Sequence, residues 1–293
     1  MPQYSLVRMN KWNSREICEL LADCGGIALK HYEKRSWKFK SDLSLITAAD
    51  SEIEALLEKE FDRPGESAYL IGEETVEKKS EKYIASALKE TSWIVDPIDG
   101  TAPYAHHVPT WGISIGFAKG GVIREGAVFL PALGELFITD GDDVLYAMAE
   151  YVSGKFRIKK PSKFISKKLR LTEGGLISVS QDVAKRGHLA LPNPVQAVCC
   201  TVFSGAYLAM GRYLSYIGCV RLWDIAGILP LLFKSGFKGR LISGEGLTMK
   251  IDEKIYHLNK NHPERWRMKN QMILAPNSKT INHIAKCLKD PGR

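Results

Sequence analysis

The sequence lacks the features of a membrane-spanning, exported or disulfide-stabilised protein. None of its apolar runs approaches the roughly 20 residues that a spanning helix needs, and residues 1–15 contain no apolar segment of leader length. Its six cysteines form no Cys-x-x-Cys pair and no Cys/His spacing typical of a zinc site. We therefore expect a cytoplasmic protein with buried free thiols.

Acidic residues are missing from residues 155–170, a stretch that holds eight of the Lys and Arg residues behind the net charge of +8. Such a basic run is usually a solvated surface, which is the interpretation we favour. The alternative is an anion-attracting patch for nucleotides, nucleic acid or acidic substrates. Only Phe156 and Phe164 interleave the charges, so we do not expect nucleic-acid binding by base stacking.

What is present is the composition of a globular protein, 45% hydrophobic and 25% charged over 293 residues. Helical spacing predicts one amphipathic helix from Ser14, its N-cap, to Glu33, and a second that Thr47 caps. Residues 111–139 alternate as in an antiparallel meander. We expect an N-terminal α+β part over residues 1–150 and a C-terminal α/β part over 151–293, with the boundary between residues 150 and 170.

The C-terminal part alternates predicted strands and helices. The expected elements are a strand at 176–179, a helix at 204–213, a strand near Tyr216, a helix at 223–233, strands at 240–242 and 272–274, and a helix at 280–288.

Carboxylates follow two predicted strands. The apolar run that begins at Trp93 ends in Asp96 and Asp99, with Pro97 between them, where regular strand pairing should stop because proline lacks a backbone donor. A preceding run, residues 69–72, ends in Glu73 and Glu74. Taken alone, each end can equally be an ordinary acidic turn. Together they predict a converging anionic site.

Four motifs in order give this site a family resemblance. They are Thr47-Ala48-Ala49-Asp50, Gly72-Glu73-Glu74, Asp96-Pro97-Ile98-Asp99-Gly100-Thr101 and Trp223-Asp224-Ile225-Ala226-Gly227. The set resembles the inositol monophosphatase family, within the metal-dependent, lithium-sensitive phosphomonoesterase superfamily that includes fructose-1,6-bisphosphatases and 3'-phosphonucleotide phosphatases. The resemblance extends from the first predicted helix to at least residue 236.

The resemblance implies a layered αβαβα sandwich as in sugar phosphatases and hydrolysis of a small phosphate monoester by metal-activated water, in a homodimer that uses two or three Mg²⁺ ions. Mg²⁺ prefers oxygen ligands, and carboxylate pairs can hold such ions close together. The implied metal ligands are Glu73, Asp96, Ile98 through its carbonyl, Asp99 and Asp224.

Further roles follow from the same motifs. The resemblance implies catalytic roles for Asp50, Glu73 and Thr101, in which Asp50 and Thr101 orient the attacking water. It also implies that Gly100 and Thr101 hold the phosphate. Glu74 is expected to contact the metal ligands without binding the metal itself. The residues alone leave Asp50 and Asp224 open to a simpler interpretation, because a helix dipole favours a carboxylate in any first turn.

Departures from the family pattern concern the substrate. Inositol-hydrolysing members place a Glu upstream of the Trp-Asp motif, whereas residues 214–221 contain no acid, which argues against myo-inositol phosphate. Arg221 is instead expected to contact a second phosphate of the substrate, or else to form a structural ion pair. The alternatives to a monophosphatase are therefore a sugar bisphosphate or 3'-phosphonucleotide phosphatase, or a non-catalytic member that binds anions or nucleic acid through residues 155–170.

Overall fold

The structure is a computed structural model that describes residues 11–32, 37–39, 45–186 and 188–289. Its first elements, in chain order, are α1 (Ser14–Tyr32), β1 (Trp37–Phe39), β2 (Leu45–Thr47), α2 (Ala48–Phe61), β3 (Ala68–Gly72), α3 (Glu81–Lys89), β4 (Thr91–Asp99), α4 (Thr101–Ala105), β5 (Gly112–Lys119), β6 (Val122–Leu130), β7 (Glu135–Asp140), β8 (Asp143–Val152), β9 (Lys155–Ile158) and β10 (Ser162–Lys163).

The remaining elements are β11 (Ile177–Val179), α5 (Gln181–Arg186), β12 (His188–Leu189), β13 (Val195–Ala197), α6 (Thr201–Ala209), β14 (Ser215–Gly218), α7 (Leu222–Ala226), α8 (Ile228–Lys234), β15 (Lys238–Leu241), β16 (Met272–Ala275), α9 (Ser278–Cys287) and β17 (Leu288–Lys289). In the described ranges, no helix is both long enough and apolar enough to cross a membrane.

The larger sheet has the strand order β10-β8-β7-β6-β5-β4-β3, with β9 also paired to β8. Strands β3 and β4 are parallel, and the pairs from β4 to β8 are antiparallel, as the predicted meander required. The sheet continues beyond residue 150 to Lys163. The chain thus leaves this sheet inside the predicted boundary interval, and the division into two domains stays a prediction.

The smaller sheet has the order β13-β11-β14-β16-β15 and mixes parallel and antiparallel pairs. Helices α1 and α2 share one apolar core with one face of the larger sheet. Helices α3, α6, α7 and α8 fill the space between the two sheets, and α5 and α9 cover the outer face of the smaller one. The predicted αβαβα sandwich is confirmed.

Strand β4 shows why the sequence carries an uninterrupted apolar run before the acidic turn. Trp93 and Val95 face the core under α1 and α2, whereas Ile94 faces the core between the sheets. All three side chains are fully buried. A strand covered on both faces loses the polar alternation that a half-exposed strand would show.

Several details of the predicted elements are wrong. Asn13, not Ser14, caps α1, because the Asn13 Oδ1 atom accepts the N–H groups of Arg15 and Glu16 at 3.1 and 3.4 Å. The predicted end of α1 at Glu33 lies outside the described residues. The predicted helix 223–233 is two helices, α7 and α8, separated at Gly227.

Strand pairing also continues past Pro97, contrary to the prediction. The register between β4 and β5 is interrupted between Asp96 and Asp99, and pairing resumes at Asp99 opposite Gly112. The proline therefore produces a bulge rather than an end, as prolines in sheets commonly do.

The basic segment, residues 155–170, forms the outer strands β9 and β10 and the chain that follows them. Its lysine and arginine side chains are exposed, while Phe156 and Phe164 pack into the apolar cores. Lys159 and Lys163 pair with Glu150 and Asp143 of β8 at 2.5 and 2.6 Å. These contacts are those of the solvated surface that we favoured.

Candidate metal centre

Three carboxylates converge where β4 ends. Asp96, Asp99 and Asp224 each offer an oxygen atom, and these oxygens all lie within 4.8 Å of one another. Asp96 and Asp99 are 1% and 7% exposed. The residues come from β4 and from the first turn of α7, so sequence neighbours and a distant helix together form one acidic cluster.

The bulge in β4 gives Asp96 and Asp99 their orientation. The Asp96 Oδ1 atom accepts the backbone N–H of Ile98 at 3.1 Å, a turn that Pro97 favours by fixing its own backbone angle. The carbonyl of Ile98 then accepts the hydroxyl of Thr101 at 3.1 Å. The predicted carbonyl ligand and the predicted catalytic hydroxyl are therefore adjacent.

Ser114 explains why a helix from the second half of the chain lies at this point. It stands opposite Asp96 in the β4–β5 register, and its hydroxyl donates to the carbonyl of Trp223 at 3.1 Å and accepts the N–H of Gly227 at 3.2 Å. A Cβ at Gly116 would lie 2.6 Å from the Cβ of Ala226. Helix α7 thus packs directly on the strand, which brings Asp224 beside Asp96.

Asp99 is held by the start of α6. Its Oδ2 atom accepts the backbone N–H of Val202 at 2.5 Å and the Cys200 thiol at 3.2 Å. Cys200 is the N-cap of α6 and also accepts the N–H of Phe203. A helix N-terminus favours a negative charge, so α6 stabilises the Asp99 carboxylate while fixing its orientation.

The surroundings of this cluster raise the pKa values of its carboxylates. Burial, and then the charges of Glu73, Asp99, Asp224 and Asp50, raise the pKa of Asp96 well above its ordinary value. Burial and then the charge of Glu73 raise the pKa of Asp224 to about 7, against opposing effects of Arg221 and of a hydrogen bond with Asp96. The charges of Glu73 and Asp50 thus act on Asp96, and their predicted roles at the metal centre stay predictions.

Asp50, in the first turn of α2, forms a capping box with Thr47. Its Oδ2 atom accepts both the N–H and the hydroxyl of Thr47, at 2.7 and 2.5 Å, so the predicted cap is confirmed. Its Oδ1 atom is buried without a hydrogen-bond partner in the described part of the chain. Burial raises the pKa of Asp50 to about 7 against the opposing hydrogen bonds from Thr47, and the charge of Glu73 raises it further.

Glu54 is a residue that the sequence analysis missed. It is 1% exposed, and its Oε2 atom accepts the N–H of Glu74 at 2.9 Å. A Cβ at Gly72 would lie 2.4 Å from its Oε1 atom, so a side chain at residue 72 would displace the Glu54 carboxylate. A charged residue between the buried positions Ile53 and Leu57 was the available signal, because a side chain in that stripe faces the core.

Gly100 and Thr101 open the short helix α4. Gly100 has a φ of 87°, and a Cβ there would lie 3.0 Å from the Cβ of Cys200 and 3.1 Å from the carbonyl oxygen of Thr110. Thr101 is the first residue of α4, which packs against β2 next to Thr47. The sharing of one water by Asp50 and Thr101 stays a prediction.

A cavity of about 240 Å³ adjoins Asp99 and Asp224. Its wall includes Ser180, Asp182, Cys199, Cys219 and Arg267. Arg267 is a second residue that the sequence analysis missed, since it lies in a stretch with no predicted element.

Arg221 does not belong to the residues that line this cavity. Its backbone N–H donates to Asp224 at 2.9 Å, and its guanidinium lies 5.6 Å from the Trp223 ring centroid. Its predicted contact with substrate stays a prediction.

Comparison with known proteins agrees with this geometry. A model of the inositol monophosphatase family matches residues 14–288. The chain belongs to this family. The match extends well beyond the motifs that carried the resemblance, to the end of α9.

Two curated relatives are phosphatases. The histidinol-phosphatase of Chlorobaculum parvum is 28% identical, over 78% of this chain and 88% of that protein. Human inositol monophosphatase 1 is 26% identical, over 75% of this chain and 76% of that protein. The chain is a phosphoric monoester hydrolase, which confirms the enzyme class predicted from the sequence.

Solved structures share the fold. An IMPase/NADP phosphatase complexed with Mg²⁺ and phosphate has a TM-score of 0.67 at 17% identity and covers 93% of each chain. Staphylococcal inositol monophosphatase-1 has a TM-score of 0.70 at 17% identity, over 95% of this chain and 94% of that one. At such identities the likeness establishes the fold alone.

The donor set of this family member fits a hard divalent cation. Its three converging side chains are all carboxylates, which Mg²⁺ prefers and which soft metals do not require. The buried Oδ1 atom of Asp50 without a partner adds a further acceptor nearby. A bound cation would offset the burial and the negative charges that raise the pKa values of Asp96 and Asp224.

Proposed function

We propose that this protein hydrolyses small phosphate monoesters in a Mg²⁺-dependent reaction. The observation that carries the proposal is the cluster of the buried Asp96 and Asp99 with the half-buried Asp224, whose oxygens lie within 4.8 Å of one another. Repelling carboxylates are costly to bury without a compensating charge. Their presence in a phosphomonoesterase family supports a functional cation site.

The chain's own residues supply binding and orientation. Asp96, Asp99, Asp224 and Glu73, with the carbonyl of Ile98, would hold two or three ions. When bound, Mg²⁺ neutralises phosphate charge and lowers the pKa of water at the site. Glu74, whose N–H is fixed by the buried Glu54, would keep the Glu73 turn in place.

Asp50 and Thr101 would orient the nucleophilic water. The Asp50 Oδ1 atom is available to accept a hydrogen bond from it, because Thr47 occupies only Oδ2. The Thr101 hydroxyl, directed to the Ile98 carbonyl, can accept a second one. A water held by two acceptors has its lone pair directed away from them, towards the phosphorus atom.

Gly100 and Thr101 would hold the phosphate group. Both belong to the turn that starts α4, where backbone N–H groups point away from the helix. A side chain at residue 100 would crowd Cys200 and Thr110, and the φ of 87° favours glycine, so this turn depends on the absence of a side chain.

The substrate class is narrowed by the second half of the chain. Residues 214–221 lack the acid that would bind inositol ring hydroxyls, so we place myo-inositol phosphate below other alcohol phosphates. A sugar bisphosphate or 3'-phosphonucleotide remains the alternative substrate, through Arg221. A relative's name, histidinol-phosphatase, adds an amino alcohol phosphate to the esters worth testing.

The test is a phosphate-release screen with inositol, sugar, nucleotide and amino alcohol phosphates, with Mg²⁺ and with EDTA. We expect turnover only with Mg²⁺, and its loss in Asp96→Asn. Asp142→Asn, on the exposed β7–β8 turn, is the matched control and should match the parent. Full activity of Asp96→Asn, or equal rates in EDTA, would contradict the proposal.

We also propose a homodimer and a cytoplasmic location, as the family resemblance implied. Light scattering of the purified protein tests the first, and a monomer at micromolar concentration would contradict it. Fractionation of cells that produce the protein tests the second.

A further inference from the structure

A long connection brings one side chain to the cavity beside the metal centre. Residues 242–271 join β15 to β16, and none of the helices or strands of the described chain lies within them. Connections longer than about 15 residues without secondary structure are uncommon in compact domains and are often functional. We call residues 242–271 the β15–β16 loop.

The β15–β16 loop is fixed against the start of α7. The N–H of Leu222 donates to the carbonyl of Trp266 at 2.9 Å, and the N–H of Met268 donates to the carbonyl of Val220 at 2.9 Å. The Trp266 side chain is 1% exposed. Arg267, between these two anchors, is therefore held at the cavity rather than free to leave it.

Arg267 in turn holds Asp182. Its guanidinium donates to Asp182 at 2.5 Å, to Glu264 at 2.7 Å and to the carbonyl of Cys219 at 3.4 Å. Asp182 lines the cavity together with Arg267, whereas Glu264 is not among the lining residues. Two carboxylates balance one guanidinium, so this wall does not present the excess positive charge that a second phosphate would require.

Ser180, two residues before Asp182, adds a polar atom to the same wall. The Ser180 Oγ atom is buried without a hydrogen-bond partner in the described residues, and Ser180 lines the same cavity. A carboxylate can only accept hydrogen bonds, and a hydroxyl can both accept and donate. The wall is thus complementary to a ligand group that donates hydrogen bonds.

We propose that Asp182, positioned by Arg267 of the β15–β16 loop, binds a hydroxyl or ammonium group on the leaving alcohol of the substrate. This inference rests on the proposed phosphatase function and specifies its substrate class. The favoured substrates are phosphate esters of alcohols that carry a second hydroxyl or an amine. Bisphosphates are disfavoured by the balanced charge, and esters of plain phenols because their leaving group offers Asp182 no hydrogen bond beyond the one from Arg267.

The main experiment compares KM and kcat of the parent and Asp182→Asn on three classes of ester. Phenyl phosphate has no donor on its leaving group, glycerol 2-phosphate and sugar phosphates carry hydroxyls, and phosphoethanolamine and histidinol phosphate carry amines. A hydrogen bond to a charged group contributes about 1.5–3 kcal/mol, or about tenfold to a hundredfold. We expect KM to rise by that factor for donor-bearing esters and by less than about twofold for phenyl phosphate.

The donor-bearing classes separate the two ligand groups. If the physiological group is an ammonium, the amine esters lose more than the polyol esters in Asp182→Asn, because they lose a charge interaction as well. The reverse ranking assigns a hydroxyl. An equal change of KM for all esters, phenyl phosphate included, would overturn the proposal.

Glu264→Gln is the matched control, since Glu264 contacts the same guanidinium without lining the cavity. It should leave the ratio of KM values between ester classes unchanged, while Arg267→Met should change that ratio in the same direction as Asp182→Asn. If Arg267→Met lowers only the melting temperature and keeps the ratio, Arg267 does not position Asp182 and the proposal is wrong. Preferred turnover of bisphosphates, lost in Arg267→Met, would also overturn it.

Equilibrium binding keeps this inference separate from the phosphatase proposal. Calorimetric affinities of the same esters for the parent and Asp182→Asn, measured with Ca²⁺ in place of Mg²⁺, need no turnover. Weaker binding of donor-bearing esters to Asp182→Asn supports the inference even if no ester is hydrolysed. Equal affinities would overturn it even if hydrolysis is observed.

Discussion

The two sides of the candidate site are built on opposite electrostatic principles. At the metal centre, Asp96 and Asp99 are buried beside the half-buried Asp224, and burial together with neighbouring negative charges, that of Glu73 among them, raises the pKa values of all three carboxylates. At the cavity wall, Asp182 is paired with Arg267 at 2.5 Å and is 31% exposed. The carboxylates of the first side carry uncompensated negative charge that a bound cation would neutralise. On the second side Arg267 already neutralises Asp182, which can still accept a hydrogen bond from a ligand.

The supports of the two sides differ as well. The metal centre rests on β4, α2, α6 and α7, whose backbones are fixed by regular hydrogen bonding. The wall rests on the β15–β16 loop and the start of α5. The proposed metal chemistry, which needs fixed distances, would thus lie on regular elements, and the proposed selectivity on a connection that tolerates sequence change more easily.

The largest expected effect separates metal binding from substrate recognition. Asp99→Asn should weaken Mn²⁺ or Mg²⁺ binding by more than about a hundredfold. Mutation of a residue that only hydrogen-bonds to a metal ligand already lowers metal affinity by about 10- to 100-fold. Asp182→Asn should change it by less than about twofold. Calorimetry or electron paramagnetic resonance of Mn²⁺ measures the metal affinity of both variants. Similar losses of affinity in the two variants would contradict the distinction between the two sides.

The next effect concerns pH and the stability of the metal-free protein. Burial raises the pKa of Glu54 from 4.5 to about 7 against opposing hydrogen bonds from Thr75 and Glu74. The folded state then holds a proton that the unfolded state releases, so stability falls as pH rises from about 4.5 to about 7. At about 1.4 kcal/mol per pKa unit, Glu54 accounts for roughly 3 kcal/mol of this loss.

Glu54→Gln should therefore flatten part of this dependence. In EDTA, its free energy of unfolding should exceed that of the parent at pH 8 and match it more closely at pH 5, as measured by urea denaturation. Asp182→Asn serves as the control from the cavity wall and should keep the slope of the parent. A parent protein equally stable at pH 5 and pH 8 would contradict the electrostatic interpretation of the centre.

The smallest effect tests the thiol that links the two sides. Cys200 donates to Asp99 and also lines the cavity. Cys200→Ala removes that donor and should weaken metal binding by roughly tenfold, the lower end of the range for residues that orient a ligand, because a thiol is a weak donor. Cys200→Ser retains a donor and should restore most of the affinity.

Cys199→Ala is the control for Cys200, since Cys199 lines the cavity next to it. It should leave metal affinity within about twofold of the parent. Equal affinities for Cys200→Ala and Cys200→Ser would show that the hydrogen bond to Asp99 has no role in holding the metal.

Much of the metal centre could be predicted because its motifs are short and local. The Asp96 turn joins residues two apart, and the Thr47–Asp50 cap joins residues three apart. The predicted meander followed from apolar periodicity, and the layered fold from the family resemblance. The continuation of β4 beyond Pro97 did not, because the bulge depends on the partner strand β5.

The sequence by itself determined the identity of the acidic residues, their placement at strand ends and helix starts, and the family. These features depend on backbone preferences and hydrogen bonds within a few residues. Only the tertiary structure decided that Cys200 meets Asp99 across 101 positions and that Arg267 meets Asp182 across 85. Such contacts arise from the packing of whole layers, which no local pattern encodes; the first supports the metal centre and the second forms the cavity wall.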